Sequence, residues 1–175
     1  NCLEGLLVGL AGDDQGAERL FDNAAANGGV AEAKTSRLSH YANRMYCRRA
    51  HEVGLELLDK RHGIPFRLIA HRVLMTGGFH AVAQAVERSQ ERSEVLQLTK
   101  DIEGARVAAE ILDRLQIDDA YCVAVLDAFG EVIREHGLVW LDDFPALSGL
   151  MGVDDEYALM VNFSFAVSPA AAAEI

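Results

Sequence analysis

The chain predicts an all-α fold, a bundle of about six or seven helices forming one domain over residues 1–175, and three observations predict it. Only three residues are Pro and half are hydrophobic, so long regular elements are favoured over disorder. Apolar residues recur mostly at helical rather than alternating spacing. Helix start and stop residues also punctuate the chain, with paired Asp ahead of apolar runs and Gly behind them. A chain of this length buries roughly two thirds of its unfolded surface, so neither a disulfide nor a metal is needed on size grounds.

Asp13 and Asp14 open the first predicted helix, which carries Ala17, Leu20, Phe21 and Ala24 and stops at Asn27-Gly28-Gly29. From Val30 to Arg61 no Pro and a single Gly, Gly54, intervene, which predicts one long helix interrupted at most once. His62-Gly63-Ile64-Pro65 ends it. Pro65 opens a third helix reaching about Met75, and Gly77-Gly78 divides that from a helix between Phe79 and Arg92. Thr99 or Asp101 caps the next, carrying Ile102, Ala105, Ala109, Leu112 and Leu115. Asp118 and Asp119 then open residues 120–136, where the helical spacing of Tyr121, Val125, Phe129, Val132 and Ile133 outweighs the strand-like run Val123–Leu126. Residues 138–151 read as loop. Asp154-Asp155 cap a last helix, or the alternation of Val161, Phe163, Phe165 and Val167 makes a short C-terminal strand or hairpin. The tail, about residues 168–175, is Ala-rich and expected to be mobile.

Charge is segregated. Residues 34–72 hold nine Lys or Arg against three acids, whereas residues 101–175 hold three Arg against fifteen acids, within a chain of net charge −11. Such asymmetry bears on partners rather than on fold. Unrolled at roughly 100° per residue, the predicted long helix places Leu38, Ala42, Met45, Val53 and Leu57 toward the core, and Arg37, His40, Arg44, Cys47, His51, Leu58 and His62 on the far side. Arg37, Arg44 and Arg48 offer fork-shaped donors and His40 or His51 a titrating group or axial ligand. The candidate ligand site is therefore Arg37, His40, Arg44 and His51, with Arg67 and His71 of the next helix closing over it, and the expected ligand is an anionic small molecule or partner. Salt bridges to the acidic C-terminal half are the competing role for the same charges.

His40, His51 and His62 lie eleven residues apart, a rise of about 16 Å per step, so this helix alone cannot bring them to one metal through bonds of about 2 Å. Asp59 with His62 is the one acid-x-x-His pair, which leaves these two as metal candidates; haem or a metal ion is a possible cofactor that no motif specifies. Arg44 and His51, with six residues between them, resemble the R-x(4–6)-H arrangement of the helical HEPN ribonucleases, although Met45 follows the Arg where that family commonly carries a polar residue. The resemblance covers two residues and implies a metal-independent RNase in which Arg44 binds and His51 attacks an RNA phosphodiester. A metal or haem oxidoreductase is the other enzymatic alternative.

Residues 69–86 have the outline of a helix-turn-helix, yet Val82, Ala83, Ala85 and Val86 read as core, and net −11 opposes DNA phosphates. The paired acids at 118–119, 142–143 and 154–155 read as helix caps rather than Mg²⁺ ligands. Three cysteines make no disulfide framework or C-x-x-C pair, and Cys47, amid Arg44, Arg48 and His51, is the one expected to be reactive. The apolar run Leu6–Leu10 is too short to span a bilayer, so the protein is expected to be soluble, cytoplasmic and without a membrane partner. The resulting reading is a binding, regulatory or structural-subunit protein, not an enzyme by any motif, that forms a homo-oligomer or meets a protein partner.

Overall fold

The structure, a computed structural model, describes residues 2–59, 63–91, 100–138, 146–151 and 157–162. Among these, α1 (Cys2–Leu10), α2 (Asp14–Ala26), α3 (Val30–Asn43), α4 (Cys47–Leu58), α5 (Phe66–Met75), α6 (Phe79–Glu91), α7 (Lys100–Leu115) and α8 (Asp119–Glu135) precede the hairpin β1 (Ala146–Met151) and β2 (Tyr157–Asn162). The fold is an all-α bundle. The strands pair antiparallel with Ala146 opposite Asn162, and both lie against α7. Residues 120–136 are helical, and β1 falls in a stretch that its Ser and Gly content made loop-like. The anticipated tail lies outside the described residues.

Helices α1, α2 and α3 pack on one another, and α3 and α4 join this trio to α5–α8. Leu38, Met45, Ile69, Val73, Phe79 and Ile102 are among the residues of the common core. Glycine makes the closest approaches: a Cβ at Gly5 would lie 2.6 Å from the Phe21 ring, and one at Gly9 would lie 2.3 Å from the His40 ring. Helix α1 thus lays its Gly face over α2 and α3, which no stop signal announces.

The predicted helix over residues 30–61 is two helices. Its break is a tight C-terminal motif in which Met45, at φ 55°, takes the left-handed position that usually belongs to Gly. The Met45 N–H donates to the Ala42 carbonyl at 3.0 Å and the Tyr46 N–H to Tyr41 at 2.8 Å. A non-Gly residue in this region costs about 1–2 kcal/mol. Tertiary contacts offset that cost. Met45 is fully buried, and Arg134 of α8 donates to the carbonyls of Met45 (2.5 Å) and Arg44 (3.3 Å), which would otherwise lack partners at the helix end. Gly130 lets α8 come this close.

Candidate functional site

The site begins with the cap of α2. Asp13 accepts the Gly16 N–H at 2.7 Å, which sets the register of the first turn and places Asp14, Glu18 and Asp22 four residues apart on one face. Helix α3 runs back along that face after the Gly28-Gly29 turn. Arg37 pairs with Glu18 at 2.9 Å and with Asp22, whereas His40 Nε2 and Arg44 Nε approach Asp14 Oδ1 at 3.3 and 3.4 Å. Tyr46 donates its hydroxyl to Asp14 Oδ2 at 2.5 Å. The structure therefore brings three of the predicted ligand residues, Arg37, His40 and Arg44, onto one face, and their partners among the described residues are the acids of α2.

Between α2, α3 and the start of α4 lies a cavity of about 240 Å³. His40, 1 % exposed, forms its inner side; Tyr41 and Tyr46 are aromatic walls meeting edge to face; Asp14 and Glu18 flank it; the exposed Arg19 and Arg49 stand on the solvent side. The Arg49 guanidinium lies 5.9 and 5.4 Å from the centres of the Tyr41 and Tyr46 rings, and Arg134 lies 4.1 Å from Tyr46 on α8's side. Four buried atoms around the cavity, Asp14 Oδ1, Glu18 Oε1, His40 Nε2 and Arg44 Nε, have no hydrogen-bond partner among the described residues.

Burial holds His40 below the usual imidazole range, and Asp14 and Glu18 recover only part of that shift, so the ring is neutral at pH 7. Burial and the Glu18 carboxylate push the Tyr41 phenol up to about 12, and burial with the Asp14 carboxylate raises Tyr46 likewise. Both hydroxyls are protonated donors. Arg37 is raised despite its burial, because Glu18 and Asp22 favour its charge.

The remaining sequence-predicted residues lie elsewhere. His51 is on α4 against the turn after α5, its Nδ1 lying 3.0 Å from where a Gly78 Cβ would stand, and burial lowers its pKa. Since Arg44 ends α3 and His51 is on α4, the two do not share the one helix that the ribonuclease resemblance requires. For the same reason the His40–His51–His62 stripe does not form; helical phase is lost at Met45, and His62 lies outside the described residues. Arg67 is exposed on the first turn of α5 and His71 is half-buried, and neither lines the cavity.

Asp59 pairs with Arg88 at 3.0 Å, and among the described residues no group of three or more His, Cys, Asp and Glu is arranged to hold a metal. A porphyrin, with about forty heavy atoms, needs on the order of 1,000 Å³ at the density of benzene in a cavity of about 150 Å³, so haem does not fit this cavity. Cys47 is fully buried, and burial together with Asp127 pushes its thiol up to about 12, which corrects its expected reactivity. In α6, Val82, Ala83, Ala85 and Val86 are core residues. Among the described residues no helix is long and apolar enough to cross a membrane.

A second constellation was invisible in the sequence. Asp119 reaches from α8 to the N-terminus of α6, accepting the backbone N–H of His80 and Ala81 at 2.9 Å each and meeting His80 Nδ1 at 2.9 Å, while His80 Nε2 faces Asp113 of α7 at 3.1 Å. Although partial burial opposes it, hydrogen bonding and charge from Asp119 and Asp113 raise the His80 pKa. An internal carboxylate therefore occupies the backbone donors that follow Thr76-Gly77-Gly78. The acid pair at 118–119 does cap helices, Asp118 its own and Asp119 a neighbour. Comparison of the chain with protein-family models, with curated proteins and with solved structures finds no match.

Proposed function

We propose that the protein is a helical binding module whose site is the cavity between α2, α3 and the α3–α4 turn. One observation carries this reading: a cavity of about 240 Å³ opens between these helices, walled by His40 and by the rings of Tyr41 and Tyr46, with Arg19 and Arg49 on its solvent side. A concave site of mainly apolar walls gains affinity by burying a ligand's apolar surface. Neutral His40 and the two protonated tyrosines give these walls polar edges that can orient a bound molecule. By the same scaling from benzene, the volume admits a molecule of about ten heavy atoms. The test is an NMR titration with phenol, which fits the volume and can both donate and accept: saturable shifts clustered at Gln15, His40, Tyr41 and Tyr46 support the site, and scattered or absent shifts sink it.

A second reading, self-association, draws on α8. Tyr121, Val125, Phe129 and Val132 are 60, 51, 36 and 39 % exposed, with Ala124 and Ala128 exposed among them. Tyr121, Val125, Ala128 and Val132 follow the four-three spacing of a coiled-coil seam, and an uncharged seam suits a second copy of itself. Sedimentation of the wild type and of Val125→Glu tests it; a monomer in both cases refutes it.

A further inference from the structure

We propose that the ligand of this cavity is a small aromatic monocarboxylate, its ring seated against His40, Tyr41 and Tyr46 and its carboxylate turned outward to Arg19 and Arg49. The proposal rests on the cavity being the binding site and names the class of molecule that its walls and rim suit. The acids of α2 are answered from within the fold. Asp14 meets Arg44 at 3.4 Å, His40 at 3.3 Å and the Tyr46 hydroxyl at 2.5 Å, while Glu18 meets Arg37 at 2.9 Å and the Tyr41 hydroxyl. Neither carboxylate is left over for a ligand, and the surface inside the cavity is almost wholly apolar. What enters is therefore an apolar body, which gains by leaving water. Aromatic rings supply the walls: the His40 and Tyr41 centroids lie 5.6 Å apart, and those of Tyr41 and Tyr46 6.3 Å apart with their planes at 87°. Rings so disposed offer faces and edges to a further ring, and aromatic pairs gain more than their buried area alone provides.

The rim differs from the walls. Arg19 of α2 and Arg49 of α4 line the cavity as exposed cations, and neither pairs with a carboxylate among the described residues. The Arg49 guanidinium lies over the Tyr41 and Tyr46 rings, 5.9 and 5.4 Å from their centres. Contact through the face of a guanidinium leaves its in-plane N–H donors for a carboxylate. Arg37 and Arg44, which the sequence offers as anion-binding forks, are turned to Asp22, Glu18 and Asp14, so the role passes to the two arginines at the mouth. A neutral arene leaves both of these guanidiniums unanswered, and a cationic one meets them on entry. A phosphate or another compact anion has no apolar body to bury, and walls of this kind do not replace the water it would lose.

Benzoate, benzamide and benzamidine are an anion, a neutral molecule and a cation of nearly one shape, each of about nine heavy atoms and within the volume allowed. Cyclohexanecarboxylate keeps the carboxylate and replaces the aromatic ring. The experiment titrates each into the full chain and follows the His40, Tyr41 and Tyr46 side-chain resonances, with phenol as the reference for occupancy. The expected result is saturable benzoate binding about fivefold tighter than benzamide, as two exposed ion pairs would supply, with benzamidine and cyclohexanecarboxylate weaker than benzoate. Added salt should erode the preference for benzoate over benzamide, because the rim is exposed. The double variant Arg19→Gln, Arg49→Gln should bring that preference close to parity. Benzamide matching benzoate, a preference that neither salt nor the double variant changes, or benzoate failing where phenol binds overturns the carboxylate while the cavity stands. Cyclohexanecarboxylate matching benzoate overturns the aromatic class in the same way. If none of the five probes moves these resonances, the cavity reading falls with it. Should the double variant fail to fold, the wild-type series and its salt dependence still decide the matter.

Discussion

Gly130 and Gly104 both lie inside helices, so intrinsic propensity predicts the same gain of about 1 kcal/mol from replacing either by Ala. The structure predicts opposite signs. At Gly104 in α7 an added Cβ meets no atom of the described residues within 4 Å, and Gly104→Ala should stabilise by about 0.5–1 kcal/mol. At Gly130 the same atom would stand 2.1 Å from the Met45 carbonyl oxygen and 2.9 Å from Arg134 Nη1, well inside the 3.0 Å that real Cβ contacts essentially never breach. The obstruction is backbone, so α8 must withdraw. Withdrawal strains both Arg134 bonds at the α3–α4 turn, each charge-assisted and worth about 1.5–3 kcal/mol, and the left-handed Met45 loses its support. Net of the propensity gain, Gly130→Ala should cost about 2–4 kcal/mol. At about 2–4 °C per kcal/mol for a chain of this size, the melting temperature should fall by about 4–16 °C, read by circular dichroism beside Gly104→Ala, which should rise by about 1–4 °C. Equal shifts of the same sign in the two variants would refute the argument that α8 clamps the turn.

Asp119→Ala removes the carboxylate that holds the N-terminus of α6 and His80, and should cost about 2–3 kcal/mol; a thermal shift below about 1 °C counts against that role. Cys47 should resist iodoacetamide at pH 8 in the native protein and react once urea unfolds it, as peptide mapping would reveal, because its thiol is buried and pushed up to about 12. Stability should depend on pH in two windows. His40 and His51 titrate lower in the folded chain than the unfolded value of about 6.5, so their contribution is complete above that pH and is lost as pH falls through their folded values. His80 is raised, so its contribution is complete below about pH 6.5 and is lost as pH rises through its folded value. Urea unfolding between pH 5 and 8.5 measures both, with His51→Asn expected to flatten the acid slope and His80→Asn the slope above neutrality; unchanged slopes would contradict the assignments.

Where helix ends are written in local chemistry, they were legible. Gly28 and Gly77 each occupy a left-handed position at a helix end, where the sequence placed its stops, and Asp13 and Asp118 cap as their positions suggested. Met45 carries no such mark, because what ends α3 there is a contact with Arg134 and Gly130, some ninety residues downstream. Unrolling residues 30–61 as one cylinder correctly put Leu38, Ala42, Met45 and Leu57 in the core, yet it placed the fully buried His40 and Cys47 outside. One helix cannot report that α1 covers its other side, and α1 itself is signalled only by Gly5 and Gly9 spaced one turn apart in an apolar run. Of the cavity, His40 was legible, on one face with Arg37 and Arg44 beside it; Asp14, Glu18, Tyr41, Tyr46 and Arg49 were not, since their convergence depends on how α2 meets α3.

That meeting is what turns a basic stripe into a mixed site. In the hairpin around Gly28-Gly29 the chain antiparallels itself, so Asp14 at the start of α2 meets Arg44 at the end of α3, while Glu18 and Asp22 meet Arg37 nearer its start. Four-residue spacing on one helix answers three- and four-residue spacing on the other, and among the described residues the ladder closes between α2 and α3 themselves. A ladder of pairs alone would be a solvated surface of little energetic consequence. Here its upper end is sealed by α1 through Gly9, and its continuation into α4 is broken at Met45, which swings Tyr46 and Arg49 over Asp14 instead of carrying them along the axis of α3. The cavity is the space that this break leaves. Its charges are neighbours in the fold because the helix stops, and the same clamp from α8 that stabilises the stop fixes the position of the Tyr46 wall.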